Sequence, residues 1–182
     1  MRYEPVAKPR FQIERVGAAE QIRVKARRQV MAMLFIPVWL ILWTAGGVAA
    51  FTQMMRDFEP FLALWLGFWA VAWIAVAGSF AWMVSGSETI RVVGSDLEIA
   101  HHLFGLSRRW LYEGGRVRDL RLAEQPPWAV RSQLQLPFFS RFTTGAVKFD
   151  YGARTIHALG GMDEAEGRMV IERLRPQLPA SR

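Results

Sequence analysis

Two long apolar runs restrict what this chain can fold into more than any other feature of its sequence. The first extends from Val30 to Phe51 without a charged residue, and the second extends from Phe61 to Val84. As a helix, the first run would be roughly 33 Å long, which is enough to cross the hydrocarbon core of a bilayer. A buried helical pair in a soluble protein is the alternative; a cleaved signal peptide is disfavoured because the run is too long and the basic stretch before it too extended. The sequence therefore predicts a membrane hairpin over residues 30–84, with spans 30–51 and 61–84.

The two predicted spans must pack against each other. The connection from Thr52 to Pro60 is so short that the helices have to be antiparallel neighbours. Small residues at i, i+4 spacing offer surfaces on which two helix backbones can approach closely. These pairs are Ala45 with Ala49, Gly46 with Ala50, and Ala77 with Ala81.

Basic residues predict the orientation of the hairpin. Four of them precede the first span, namely Arg23, Lys25, Arg27 and Arg28, whereas the connection has only Arg56. Because Lys and Arg favour the cytoplasmic ends of membrane spans, we expect the N-terminus and the region after the second span to be cytoplasmic. The same four side chains are expected to contact anionic lipid headgroups.

Residues 1–29 form a basic cytoplasmic segment in front of the hairpin. Phe11, Ala18, Ile22 and Ala26 would lie near one face of a helix, with the basic residues largely elsewhere. Two alternatives are open for this segment: an interfacial helix on anionic lipid, or a continuation of the first span into water.

After Ser85 the hydrophobic period changes to two-residue alternation punctuated by glycine, which is typical of short strands joined by turns. Strands are predicted near residues 88–93, 97–104, 107–113, 116–122, 145–151 and 153–159. A helix is predicted from about Met162, because acidic residues crowd its first turn and Arg173 lies in its last. Together these elements predict an antiparallel α+β module over residues 85–182.

A long insertion, residues 123–144, interrupts the predicted strands. It is unusually long for a small domain, and it carries more large apolar side chains than a solvated loop would. These are Trp128, Val130, Leu134, Leu136, Phe138, Phe139 and Phe142. They could cover the sheets, dip into the membrane interface or dock on a partner, and we favour docking on a partner or on the membrane over self-covering.

The order of these parts resembles a known family. The two spans are followed by GSETIRVVGSDLEI, GLSRRWLYEGGRVRDLRL, VKFDYGARTIHALG and DEAEGRMVIERLRP, and this series resembles the bacterial PH-like (pleckstrin-homology-like) membrane proteins. The resemblance implies a two-helix transmembrane hairpin plus a cytoplasmic α+β PH-like antiparallel β-sandwich or barrel closed by a C-terminal helix, in the bacterial cytoplasmic (inner) membrane. One branch of that family looks like an assembly factor for photosynthetic membrane complexes, and no catalytic residue set comes with the family.

The sequence has no motif for catalysis or metal binding. The absence of cysteine excludes disulfides, thiolate metal sites and cysteine nucleophiles. His101 and His102 are adjacent on a predicted strand, so their side chains point to opposite faces and cannot share one metal ion, and His157 has no second ligand at a recognisable spacing. No glycine-rich phosphate loop, nucleophile elbow or metalloprotease helix is present. We therefore expect no enzymatic activity, no metal site and no cofactor.

Arginine clusters on the predicted strands at Arg108, Arg109, Arg116, Arg118 and Arg121. The interleaved acids Glu113, Asp119 and Glu124 weaken the positive field that this cluster would otherwise produce. A solvated sheet face is favoured over phosphate binding, and we expect membrane lipids rather than nucleic acid as partners.

The second span carries an aromatic stripe, Trp65, Trp69 and Trp73, at i, i+4 and i+8. It could be lipid-facing bulk, or it could dock on another membrane subunit or on its pigment or quinone. The absence of ionisable residues from both spans argues against a proton path or an ion site.

Two functional hypotheses follow. The first is a non-catalytic accessory, scaffold or assembly subunit of a larger integral membrane complex, which docks through the hairpin and the PH-like domain. The alternative is a membrane-anchored sensor that binds anionic lipid or a small ligand through the PH-like domain.

Overall fold

The computed structural model describes residues 11–16, 19–123, 145–160 and 162–179. Within these ranges the chain forms two long apolar helices, two antiparallel sheets and a C-terminal helix. These elements agree with the predicted fold class in its apolar helical pair, its antiparallel sheets and its C-terminal helix.

The two apolar runs form a helical hairpin. Helix α1 is Val30–Arg56 and helix α2 is Pro60–Ser85, and both are long and apolar enough to cross a membrane. At 1.5 Å per residue, each helix is about 40 Å long. Helix α1 continues past the predicted end of the first span at Phe51. Pro60 begins α2, where its missing N–H would have had no helical partner.

Eight strands form the two sheets in the described part of the chain. The five-stranded sheet contains, in spatial order, β1 (Phe11–Val16), β2 (Ala19–Lys25), β3 (Ser87–Val93), β4 (Asp96–Leu103) and β5 (Leu106–Tyr112). The three-stranded sheet contains β6 (Val117–Leu122), β7 (Val147–Tyr151) and β8 (Arg154–Ala158). Strands β3 to β8 have nearly the bounds predicted from the alternation and the glycine positions.

The N-terminal segment differs from both alternatives considered for it. Strands β1 and β2 occupy positions expected to be helical or part of a long basic extension. The physical reason is the strict alternation over residues 21–25, in which Ile22 and Val24 point into the core and are 2% and 3% exposed. The helical face inferred from residue spacing is therefore wrong.

The hairpin is inserted between two neighbouring strands of one sheet. Strand β2 precedes α1, strand β3 follows α2, and the two pair antiparallel with Ile22 opposite Ile90 and Lys25 opposite Ser87. The sheet domain therefore consists of residues on both sides of the hairpin in sequence, rather than of residues 85–182 alone.

Both sheets share one hydrophobic core. Tyr112 of β5 contacts Phe149 of β7 edge to face, with ring centroids 5.2 Å apart. The C-terminal helix α3 (Glu164–Leu174) buries Val170, Ile171 and Leu174 in the same core. Its predicted start is confirmed by a capping box, in which Asp163 accepts from the backbone N–H of Glu166 and the Glu166 side chain accepts from that of Asp163.

Candidate functional site at the junction of the helices and the sheets

Two short connections fix the hairpin to the sheet domain. Residues 26–29 join β2 to α1, and Gly86 alone joins α2 to β3. The backbone N–H of Ala26 donates to the carbonyl of Gly86 at 2.9 Å, which extends the β2–β3 ladder up to the helices. Arg28 donates from Nη2 to the carbonyl of Val84 at 3.2 Å. The helices therefore continue from adjacent strands without a flexible linker.

Gly86 makes the tight exit from α2 possible. Its N–H donates to the carbonyl of Trp82 at 2.7 Å, and a Cβ placed on it would collide with that carbonyl and with the Trp82 ring. Only glycine can therefore pass at this position without displacing the end of the helix.

Several connections of the sheet domain lie at the same end as the helices. The turn between β4 and β5 is there, because the N–H of Phe104 donates to Ser85 Oγ at 3.2 Å. The three-stranded sheet contributes its end as well, since the N–H of Gly160, just after β8, donates to Glu88 Oε2 at 3.2 Å. We call this end of the domain the helix-proximal rim.

The described residues that flank the predicted insertion lie at this rim. Leu122, Val147 and Ala158 are aligned across β6, β7 and β8 at the end of the sheet nearest Gly160. The described residues that flank the insertion, Ala123 and Gly145, continue from the ends of β6 and β7 in that row. The sheet topology thus brings both ends of the insertion to the side of the domain that carries the helices.

A polar pair lies inside the rim, on the core-facing side of the five-stranded sheet. Glu88 and His101 are cross-strand neighbours whose side chains are 10% and 12% exposed, with Oε1 and Nε2 3.5 Å apart. The separation is that of an ion pair, but the geometry does not meet that of a hydrogen bond. Glu88 instead accepts from Gly160, which ties the two sheets together.

Aromatic rings enclose His101. The ring of Trp82 from α2 lies 5.3 Å from it, and the ring of Trp110 from β5 lies 4.9 Å away in a T-shaped contact. The guanidinium of Arg108 lies over Trp110 at 5.3 Å. This stack packs the last turn of α2 against β4 and β5.

His102 lies on the opposite face of the sheet from His101. Its Nε2 is 3.1 Å from Thr89 Oγ1. Burial lowers the pKa of His102, and the nearby charges of Arg23 and Arg109 lower it further. Among the described residues, no group of three or more His, Asp or Glu side chains is arranged to hold a metal ion.

The four basic residues predicted to contact lipid are divided by the fold. Lys25, Arg27 and Arg28 are exposed beside the start of α1. Arg23 lies within β2, where its Nη1 is 3.4 Å from the Glu14 carboxylate. Three of the four therefore lie exposed at the rim, and the charge of Arg23 is partly neutralised by Glu14.

Two tryptophans of the aromatic stripe contact α1. Trp73 donates from Nε1 to Thr44 Oγ1 at 2.9 Å. Trp69 lies against Gly47, where the absence of a Cβ makes room for its ring. Trp65 is 42% exposed. The stripe thus contributes first to packing within the hairpin, and contact with a partner stays a prediction that fits Trp65 best.

The remaining predicted docking residues, Trp128, Leu136, Phe138, Phe139 and Phe142, lie outside the described residues. In comparisons with known proteins, no family model, curated protein or solved structure matches the chain.

Proposed function

We propose that this chain is a membrane-anchored, non-catalytic accessory or assembly subunit of a larger bacterial membrane protein complex, photosynthetic or respiratory. Its sheet domain would be held against the membrane surface by the hairpin. The observation that carries this proposal is the insertion of the hairpin between the paired strands β2 and β3. A domain fixed in this way presents the same rim to the membrane and its neighbours at all times.

The surface of the hairpin supports insertion into a bilayer. Large apolar side chains are exposed along both helices, among them Leu34, Phe35, Leu42, Phe68 and Ile74, each more than half exposed. A soluble protein rarely leaves an apolar surface of this extent in water, because each Å² costs about 25 cal/mol relative to burial. Lipid tails or a membrane partner would remove that cost.

The strand pairing and the charges support one topology. If both helices span, the pairing of β2 with β3 requires both ends of the hairpin to emerge on the same side. That side carries Lys25, Arg27 and Arg28, whereas the connection carries Arg56 beside two acids. The positive-inside rule then favours a cytoplasmic N-terminus and sheet domain, as proposed for a two-span protein of the bacterial inner membrane.

A membrane-impermeant maleimide tests this topology in spheroplasts, because the chain has no cysteine of its own. Asp57→Cys in the connection should be labelled in intact spheroplasts. Ser95→Cys, in the turn between β3 and β4, should be labelled only after lysis. Labelling of Ser95→Cys from outside would refute a cytoplasmic sheet domain.

Docking on a larger complex is supported by what the rim and the hairpin expose. The described residues that flank the apolar insertion lie at the rim, and Trp65 is accessible on the hairpin. The resemblance to PH-like membrane proteins, one branch of which looks like an assembly factor, agrees with this proposal. An apolar centre with charged edges is common at protein interfaces, and aromatic anchors often contribute about 2 kcal/mol or more each.

Affinity purification in a mild detergent tests the docking proposal. The wild-type chain should bring a defined set of membrane subunits with it, identified by mass spectrometry. Replacing Trp128, Phe138 and Phe139 by serine should reduce that recovery while the chain remains folded. Serine at Val93 and Leu111, which are exposed apolar residues of the sheet, is the matched control and should leave recovery unchanged. Recovery of the wild-type chain without partners would refute the proposal.

The exposed basic residues favour a second candidate function, a sensor of anionic lipid. Lys25, Arg27, Arg28, Arg108 and Arg109 are all exposed, and basic residues near a charged bilayer contribute about 1 kcal/mol each. A sensor should change its recovery of partners, or its conformation, when the anionic lipid content of the membrane changes. An accessory subunit should keep the same partners in neutral lipid.

A further inference from the structure

The turn between β4 and β5 has an unusual residue at its tip. Leu103 pairs with Leu106, and the two residues between them, Phe104 and Gly105, have φ angles of 47° and 82°. These values define a type I′ turn, in which both central residues are left-handed and Asn-Gly is preferred. The left-handed conformation is unfavourable for phenylalanine. The conformation of the turn therefore does not explain why phenylalanine occupies this position.

The side chains of this turn are apolar and uncovered. Phe104 is 65% exposed and Leu106 is 77% exposed. A second two-residue turn of the five-stranded sheet, between β3 and β4, contains Gly94 and Ser95 and leads into Asp96. That turn lies at the end of the sheet away from the helices, and it is polar. Of these two turns, the apolar one is therefore beside the hairpin.

The position of the turn fixes its depth if the helices span a bilayer. Helix α2 has 26 residues, so it is about 39 Å long, against a hydrocarbon core of about 30 Å. With the excess shared between its ends, Ser85 stands about 4–5 Å outside the hydrocarbon, within a headgroup layer about 5–7 Å deep. The N–H of Phe104 donates to Ser85 Oγ. The apolar tip therefore lies at the level of the headgroups, next to the helix that enters the membrane.

Positive charge follows the tip along the strand. Arg108 and Arg109 are exposed and follow Leu106 by two and three residues in β5. Lys25 is exposed at the end of β2 in the same sheet. An apolar tip followed by cationic side chains is complementary to an anionic bilayer, in which acyl chains lie beneath phosphate groups.

We propose that the β4–β5 turn is a membrane-interface anchor: Phe104 and Leu106 insert between the lipid headgroups of the leaflet from which α2 emerges. The occupant of this apolar surface is lipid rather than a second copy of the chain or a protein partner. The inference rests on the proposed spanning of the hairpin. It adds a third attachment point, which prevents the sheet domain from tilting away from the bilayer.

Environment-sensitive labelling of the full-length protein tests this anchor. Phe104→Cys and Leu106→Cys are made separately, labelled with a nitrobenzoxadiazole dye and reconstituted into vesicles of phosphatidylcholine and phosphatidylglycerol. Both positions should give blue-shifted emission and should be quenched by lipid that is spin-labelled near the headgroup end of its acyl chain. Ser95→Cys is the matched control, in a turn of the same length at the opposite end of the sheet. It should give the emission of a dye in water and no quenching.

A label in α1 separates failure of the anchor from failure of the spanning hairpin. Leu42→Cys should be quenched by lipid that is spin-labelled near the middle of its acyl chain. If Leu42→Cys is quenched while both turn positions behave like Ser95→Cys, the anchor proposal is wrong and the spanning proposal stands. A label at position 42 that is not quenched refutes the spanning proposal and the anchor together. Oxidative cross-linking of Phe104→Cys between two copies, without lipid quenching, would assign the turn to self-association and overturn the anchor.

Discussion

The insertion of the hairpin between β2 and β3 predicts that the helices can be replaced by a turn. Lys25 and Ser87 are register partners, and the N–H of Ala26 donates to the carbonyl of Gly86 one pair further along the ladder. A two-residue type I′ turn closes a hydrogen-bonded pair of this kind, so a shortened chain, in which residues 11–26 are joined through Asn-Gly to residues 86–182, should fold without a membrane. Residues 87–182 alone, which lack β1 and β2, should not fold stably.

The difference in stability between the shortened chain and residues 87–182 follows from the side chains that β2 buries. Ile22 and Val24 are 2% and 3% exposed and belong to the shared core. Full burial of each contributes about 1.5–3 kcal/mol, so together they supply about 3–6 kcal/mol. A typical domain has only about 5–15 kcal/mol of net stability. Loss of β2 therefore removes a large share of it, and Ile22→Ala in the shortened chain should by itself cost about 2–5 kcal/mol.

Urea unfolding followed by tryptophan fluorescence and circular dichroism measures this difference. With a denaturant slope of about 1–3 kcal/mol per molar urea, a loss of 3 kcal/mol lowers the midpoint by about 1–3 M. The shortened chain should unfold in one cooperative transition, with a lower midpoint for its Ile22→Ala variant. Equal midpoints for the shortened chain and residues 87–182 would show that β1 and β2 do not contribute to the stability of the domain, contrary to this prediction.

Three further substitutions test other parts of the account. Gly47→Ala should lower the thermal stability of the protein in detergent by about 1–3 kcal/mol, because its Cβ would overlap the Trp69 ring; Gly46→Ala, which meets nothing within 4 Å, should not. The lowered pKa of His102 means that the unfolded chain binds more protons than the native one as the pH falls below 6.5, so the free energy of unfolding should decrease there. His102→Gln should flatten that pH dependence, and an unchanged slope would exclude the contribution of His102. Phe104→Asn should raise the free energy of urea unfolding of the shortened chain by about 1 kcal/mol, since asparagine suits the left-handed turn; a lower free energy of unfolding would contradict the turn geometry.

Much of the fold could be predicted because its signals are local. The two helices follow from uncharged runs, strands β3 to β8 follow from alternation between glycine turns, and α3 follows from the acidic residues after Met162. Strand β2 was missed because its partner, β3, lies beyond the whole hairpin in sequence. A short alternation such as residues 21–25 does not reveal a partner so far away.

The candidate site was predictable only in part, for a related reason. Periodicity placed Trp65, Trp69 and Trp73 on one face of a helix, but it did not indicate that two of these rings would face α1. One of the three small pairs predicted for close approach included Gly46, whereas the glycine beneath Trp69 is Gly47. Side-chain neighbours across two elements depend on the rotation of both helices, which the sequence of either one leaves undetermined.

Disulfide cross-linking across the hairpin tests whether β2 pairs with β3 in the membrane-bound protein. Lys25→Cys and Ser87→Cys should be joined by mild oxidation of the full-length protein in membranes, because cross-strand neighbours lie about 4.5–5.5 Å apart at Cα, within the range of a disulfide. Cyanogen bromide cleavage at Met54 separates the two positions, so the fragments should stay together until a reductant is added. Lys25→Cys with Ser95→Cys, at the opposite end of the sheet, should give separate fragments. Separate fragments from the first pair, or equal joining in both pairs, would contradict the pairing of β2 with β3 on which the account depends.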